Sequence, residues 1–120
     1  MAKNMEIALL LDFYGEMLTE KQKDMVELYY NDDLSLSEIA ENAGISRQGV
    51  RDSIKRAEGQ LLEMEERLGL ARRFREMQRG FEVICNAAQE IGELNQRLLY
   101  SREVAARVDI IVNTARELAE

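Results

Sequence analysis

Proline, histidine and tryptophan are absent from this chain of 120 residues, and cysteine occurs once. Without histidine the chain lacks the commonest general base and metal ligand. A single cysteine, Cys85, excludes an intrachain disulfide and fits a reducing compartment. Beside Ile84 on an apolar helical face, with no imidazole to activate it, Cys85 reads as a small core residue. The absence of proline and the shortness of the β-branched runs, together with 46% hydrophobic and 32% charged residues, indicate an all-α protein. The longest apolar run near the start, Ile7 to Leu11, is far too short to span a membrane, and no basic segment with a cleavage site accompanies it. A cytoplasmic protein without membrane insertion is expected. There is no glycine-rich phosphate loop, nucleophile elbow or metal-ligand spacing, and the carboxylates alternate with basic residues along helix faces. An enzyme is therefore not expected, and no catalytic residue, metal or cofactor is assigned.

Negative charge is what the chain has in excess, at a net −7, and it is unevenly placed. Met1 to Leu68 carries 15 acidic against 8 basic residues, whereas Gly69 to Glu120 has 8 of each. Non-specific duplex binding depends on neutralising phosphates, so it should be weak and salt-sensitive here.

Apolar spacing places the helices. Ile7, Leu10, Leu11, Tyr14 and Leu18 make one stripe, predicting a helix from Met5 to Leu18 that Gly15 weakens near its end. Thr19 and Gln22 form a capping box for a second helix, with Met25, Val26, Leu28 and Tyr29 on its core side. Asn31, Asp32 and Asp33 end it as a solvated turn, without the ligand spacing of a calcium loop. The next stretch resembles a helix-turn-helix: Ser35 with Glu38 caps a short helix, Ala40 allows a close crossing, and Gly44 supplies the turn. Ser46 caps a second helix, and Ile45, Val50 and Ile54 are expected to point inward. Arg47, Gln48, Arg51, Lys55 and Arg56 then form a basic outward face interrupted by Asp52.

Beyond the turn, Val50, Ile54, Ala57, Leu61, Met64 and Leu68 alternate steps of four and three, a heptad seam on a rod roughly 33 Å long at about 1.5 Å per residue. Gly69 breaks the register, as a sharp turn or as a kink in a continuous helix. A second series runs Leu70, Phe74, Met77, Phe81, Ile84, Ala88, Ile91, with fraying expected past Gly92. Ser101 caps a last helix bearing Val104, Val108, Ile111, Ala115 and Leu118. Three seams exceed the needs of a small monomer, so self-association, as a homodimer, is expected through the helices after Gly69. Arg72, Arg73, Arg75 and Arg79 form a further basic cluster. It reads either as a solvated face paired with Glu65, Glu66 or Glu76, or as a patch for RNA or an acidic partner.

The blocks LTEKQ, ELYY, LSEIAE and ISRQGV within Leu18 to Glu58 resemble region four of bacterial sigma factors. With DFYGEMLTEKQ ahead of them, they resemble more closely the YlxM family of small helix-turn-helix proteins, and the resemblance extends to about Phe74. It implies a sigma region 4-like helix-turn-helix domain, placed at residues 1–68, while the apolar series after Gly69 indicate a coiled-coil-like helical extension at 69–120. The resemblance further implies a cytoplasmic regulatory protein linked to the signal recognition particle pathway. Arg47, Gln48 and Arg51, with Ser46, match the base-facing start of the recognition helix, and Lys55 and Arg56 its backbone-facing side. Gly49 stands where related sequences often have alanine.

Two functions follow as expectations. In the first, the protein is a dimeric nucleic-acid-binding regulator in which Arg47, Gln48 and Arg51 reach base edges, and the capped helix starts at Ser35 and Ser46 meet phosphate. DNA is the expected nucleic acid, with RNA as the alternative. In the second, it is an adaptor that binds the signal recognition particle or its receptor through Glu20, Asp24, Glu27, Asp32 and Asp33, or through the C-terminal helices.

Overall fold

The structure is a computed structural model and describes residues 1–98 and 100–120. Its described residues are all-α, with no strand among them: α1 (Met5–Tyr14), a 3-10 turn (Gly15–Met17), α2 (Glu20–Tyr30), α3 (Leu36–Ala43), α4 (Arg47–Leu68), α5 (Leu70–Arg97) and α6 (Arg102–Ala119). The chain forms two compact units, Met1–Arg72 and Arg73–Glu120.

In the first unit α4 is the central helix, packed against α1, α2 and α3. Its apolar series is used up inside this unit: Val50, Ile54, Ala57 and Leu61 are fully buried. That seam is therefore a domain core, whereas the heptad spacing alone pointed to a rod with a packing surface at its far end. Only Leu68, at the end of the series, stays more than half exposed. Two apolar clusters divide the work. Ile7, Leu10, Leu11, Tyr14 and Leu18 meet Val26, Ala57, Leu61 and Ala71 in one. Tyr29, Leu36, Ile39 and Ala40 meet Val50 and Ile54 in the other.

The local signals act as their chemistry requires. Thr19 with Gln22 and Ser35 with Glu38 form reciprocal capping boxes. Gly44 (φ 69°) and Gly69 (φ 64°) take the left-handed conformation that ends α3 and α4. At Gly69 the chain therefore turns instead of continuing as one kinked helix, and α5 starts at the next residue. The first helix is shorter than its stripe. It stops at Tyr14, and the 3-10 turn carries the chain to Leu18, which is extended yet buried.

No side chain immediately ahead of α5 caps it. Tyr14 and Glu65 do so from elsewhere in the first unit: Leu70 N–H donates to the Tyr14 hydroxyl (3.1 Å), Ala71 N–H to Glu65 Oε1 (3.1 Å) and Arg72 N–H to Glu65 Oε2 (3.0 Å). The first unit consequently extends past Leu68 into the opening turn of α5.

The second unit is an antiparallel hairpin of α5 and α6. Asn95 exchanges two hydrogen bonds with Ser101 at its closed end, and Gln78 donates to the Ala119 carbonyl at the other. Ala88, Val108 and Val112, with Cys85 partly buried against them, form its small core. The Cys85 thiol lies 3.7 Å from the Val112 carbonyl oxygen. Helix α5 runs past Gly92 to Arg97, where fraying was expected, and Gly92 packs beside Val108, whose Cγ1 a Cβ there would meet at 3.4 Å.

Candidate nucleic-acid interface

The helix-turn-helix consists of α3, the turn at Gly44 and the first half of α4. Ile39 and Ala40 from α3 close on Val50 and Ile54 of α4, which fixes how the second helix leaves the turn. Ile45, expected inside with them, is 45% exposed. It follows the left-handed Gly44 and precedes the capping Ser46, so it belongs to the turn and falls at the margin of the core. There it lines an open groove of about 470 Å³ with Met25, Leu28, Ile39, Lys21 and Asp24.

Ser35, Ser46, Arg47, Gln48, Arg51, Lys55 and Arg56 are all solvent-exposed. Helical spacing puts Arg47, Arg51 and Lys55 in one row and Gln48, Asp52 and Arg56 in the next. The Ser46 hydroxyl accepts the Gly49 N–H (3.0 Å) and that of Ser35 accepts the Glu38 N–H (3.1 Å). The amides ahead of those points, at the opening of each helix, lack intrahelical acceptors and carry the positive end of the helix dipole.

The side chains differ in how free they are. Gln48 Nε2 donates to Asp52 Oδ1 at 2.9 Å, and Lys55 Nζ lies 3.6 Å from Glu58 Oε2. Among the described residues Arg47, Arg51 and Arg56 are in no ion pair. Three guanidinium groups, each with five donors in a planar fork, thus stand available to phosphate or base edges. The same holds for Arg72, Arg73, Arg75 and Arg79. No close ion pair joins them to Glu65, whose oxygens accept backbone N–H groups and the Tyr14 hydroxyl, although the Arg72 charge does help to lower that carboxyl.

Buried polar groups brace α4 from behind. Glu58 is 7% exposed and accepts the Tyr30 hydroxyl at 2.6 Å. Burial, then the Glu58 carboxylate, push the Tyr30 hydroxyl up to about 12. No motif in the sequence marks this pair or the Tyr14–Glu65 pair, whose members lie far apart in the chain. Gly49 is also explained here: a Cβ at that position would meet the capping Ser46 Oγ at 3.2 Å.

Residues 1–100 match the sequence family UPF0122, described as "Putative helix-turn-helix protein, YlxM / p13 like". A UPF0122 protein of Acetivibrio thermocellus is 52% identical over 85 residues, 70% of this chain and 73% of its own length. The chain belongs to the UPF0122 family. Other UPF0122 proteins align over more of it: that of Desulforamulus reducens is 41% identical over 86% of this chain and 90% of its own length, and one from a Thermoanaerobacter species 42% identical over 95% and 92%. Similarity to the UPF0122 family thus runs past Phe74 and includes α5. Among the described residues of this UPF0122 chain, no group of three or more His, Cys, Asp or Glu side chains is placed to hold a metal ion, and no helix is long and apolar enough to cross a membrane.

Proposed function

We propose that this protein is a nucleic-acid-binding regulator acting as a homodimer, with residues 1–68 as its reading head and the helices after Gly69 joining the copies. The carrying observation is the opening of α4, where Arg47 and Arg51 project from a capped helix N-terminus without an acidic partner, on a turn that Ile39, Ala40, Val50 and Ile54 hold rigid. In this reading Arg47, Gln48 and Arg51 meet base edges, while Lys55, Arg56 and the Ser35 and Ser46 helix starts meet the backbone. Each good bidentate base contact discriminates by about 1–3 kcal/mol. The acidic remainder of the chain lowers non-specific affinity and leaves selection to these few contacts. The resemblance to YlxM proteins points to a cytoplasmic role near the signal recognition particle. A selection from random duplex and RNA pools, repeated with Arg47→Ala/Arg51→Ala, tests the reading. Enrichment of one sequence by the wild type and its loss in a fully helical double variant are expected. Equal enrichment by both would remove these residues as readers.

A second reading has its own support in the half-exposed Ile45 groove. Met25, Leu28 and Ile39 supply an apolar floor there, with Lys21 and Asp24 at the rim. An adaptor would use it, together with the acidic Glu20, Asp24, Glu27, Asp32 and Asp33, to hold the targeting particle's protein or its receptor. Capture of either partner that survives nuclease treatment and Arg47→Ala/Arg51→Ala, but not Ile45→Glu, would favour the adaptor.

A further inference from the structure

The hairpin closes on its small side chains and leaves its large ones outside. Cys85, Ala88 and Gly92 of α5 face Val108 and Val112 of α6. One step round α5, a second series runs Met77, Gly80, Ile84, Ala87, Ile91, Leu94, Leu98, in alternating steps of three and four. All of it is exposed, with Ile84 at 47%, Ile91 at 49% and Leu98 at 79%. On α6, Val104, Ile111 and Leu118 recur every seventh residue and are likewise exposed. Ile84, Ile110, Ile111 and Leu118 border one groove of about 300 Å³, so the two outer stripes share one side of the hairpin. The groove lined by Gln89, Glu93, Asp109, Asn113 and Arg116 is polar.

We infer that a second copy of this chain covers the apolar side, hairpin against hairpin, with the two α5 helices antiparallel in a four-helix bundle. The inference rests on the dimeric reading above and deepens it by naming the surface, the direction and the register.

Three features single out a second copy. The first is shape. In an antiparallel heptad pairing with Ile84 opposite Ala87 of the second copy, Gly80 falls opposite Ile91, so at the centre of the seam small residues receive large ones, and Met77 meets Leu94, one flexible apolar chain on another, toward its ends. The second is charge. The same register sets Glu76 opposite Arg97 at both ends of the pair. Arg73 to Glu120 contains 7 arginines and 8 acidic residues, a net of −1, against −6 for Met1 to Arg72, so hairpins can approach with little repulsion. The third is area. Met77, Ile84, Ile91, Leu94, Leu98, Val104, Ile111 and Leu118 are each 36–79% exposed on these two stripes, more large aliphatic surface than singly scattered residues leave on a monomer.

Sedimentation equilibrium of the full chain tests this, and a species of twice the 13.8 kDa chain mass is expected. Ile84→Glu with Ile91→Glu, both outside the hairpin core, should yield a monomer of unchanged helicity. Direction and register are read by disulfide trapping in a Cys85→Ser background. Gly80→Cys mixed with Ile91→Cys should cross-link, whereas Ile91→Cys alone should not. A monomeric wild type, a charged variant that stays dimeric, or Ile91→Cys linking to itself overturns the pairing. A retardation assay on the same samples keeps the two ideas apart: nucleic-acid binding by a monomeric wild type sinks the pairing and spares the reading head, while a dimer trapped as described that binds none sinks the reading head and spares the pairing.

Discussion

The Tyr14 hydroxyl donates to Glu65 Oε1 at 2.7 Å, and between them these two side chains accept the first three N–H groups of α5. A helix start without a local cap is thereby satisfied by residues of α1 and α4, and the buried Tyr14 ring ties the same point to the core. Tyr14→Phe should cost about 1–2 kcal/mol and Glu65→Gln about 1–3 kcal/mol, because each leaves amides or a carboxylate short of a partner. Urea unfolding of the two single variants and the double variant checks this. The double variant should lose less than the sum, since the groups act as one network.

Glu65 also makes stability depend on acid. Burial opposes its charge, but the Tyr14 hydroxyl and the Ala71 and Arg72 amides outweigh burial and hold the carboxyl below its usual value of 4.5. A group depressed in the folded state stabilises fully above its unfolded value, and that contribution disappears as pH falls through the folded one. Urea midpoints measured downward from pH 5 should therefore decline less steeply in Glu65→Gln than in the wild type.

On the alkaline side Tyr30 contributes alongside Tyr14, whose hydroxyl burial and Glu65 also raise. The Tyr30 hydroxyl ionises only at about 12 in the folded chain against 10.0 for a free tyrosine. A raised value stabilises fully below the unfolded value and is lost as pH climbs through the folded one. Stability should fall between about pH 10 and 12, and Tyr30→Phe should flatten that fall. Tyrosinate absorbance followed with pH provides an independent reading.

Asp52 is the acidic residue inside the basic row, and it holds the Gln48 amide. On the proposed reading, Asp52→Asn should tighten nucleic-acid binding a few-fold without reducing its salt slope, by removing a negative charge from within the basic row. Arg56→Ala should weaken binding evenly across sequences and reduce the salt slope by about one. Titrations over a range of salt concentrations distinguish these two effects.

Two glycines should respond in opposite directions. A Cβ on Gly59 meets nothing within 4 Å, in the interior of α4, so Gly59→Ala should stabilise by about 1 kcal/mol. Gly44 sits at φ 69°, so Gly44→Ala should destabilise by about 1–2 kcal/mol despite open space around it. Thermal melts of the pair give both signs at once.

The side-chain caps of α2, α3, α4 and α6 were legible in the sequence, because such a cap is a hydrogen bond between residues about three apart. Thr19 with Gln22, Ser35 with Glu38, Ser46 and Gly44 declare themselves by type and spacing, whereas at Gly69 a turn and a kink were both open until its left-handed φ decided for the turn. The tertiary structure decided which flank of each apolar stripe is used: Val50 is buried while Ile45 is not, and Cys85 faces α6 while Ile84 faces outward. Helical periodicity names a stripe about a third of the circumference wide, but the neighbour that covers it is chosen by the packing of the other helices. For the same reason the cap of α5 could not be read locally. Tyr14 and Glu65 come together only after α1 and α4 have packed, and no spacing along the chain encodes that meeting.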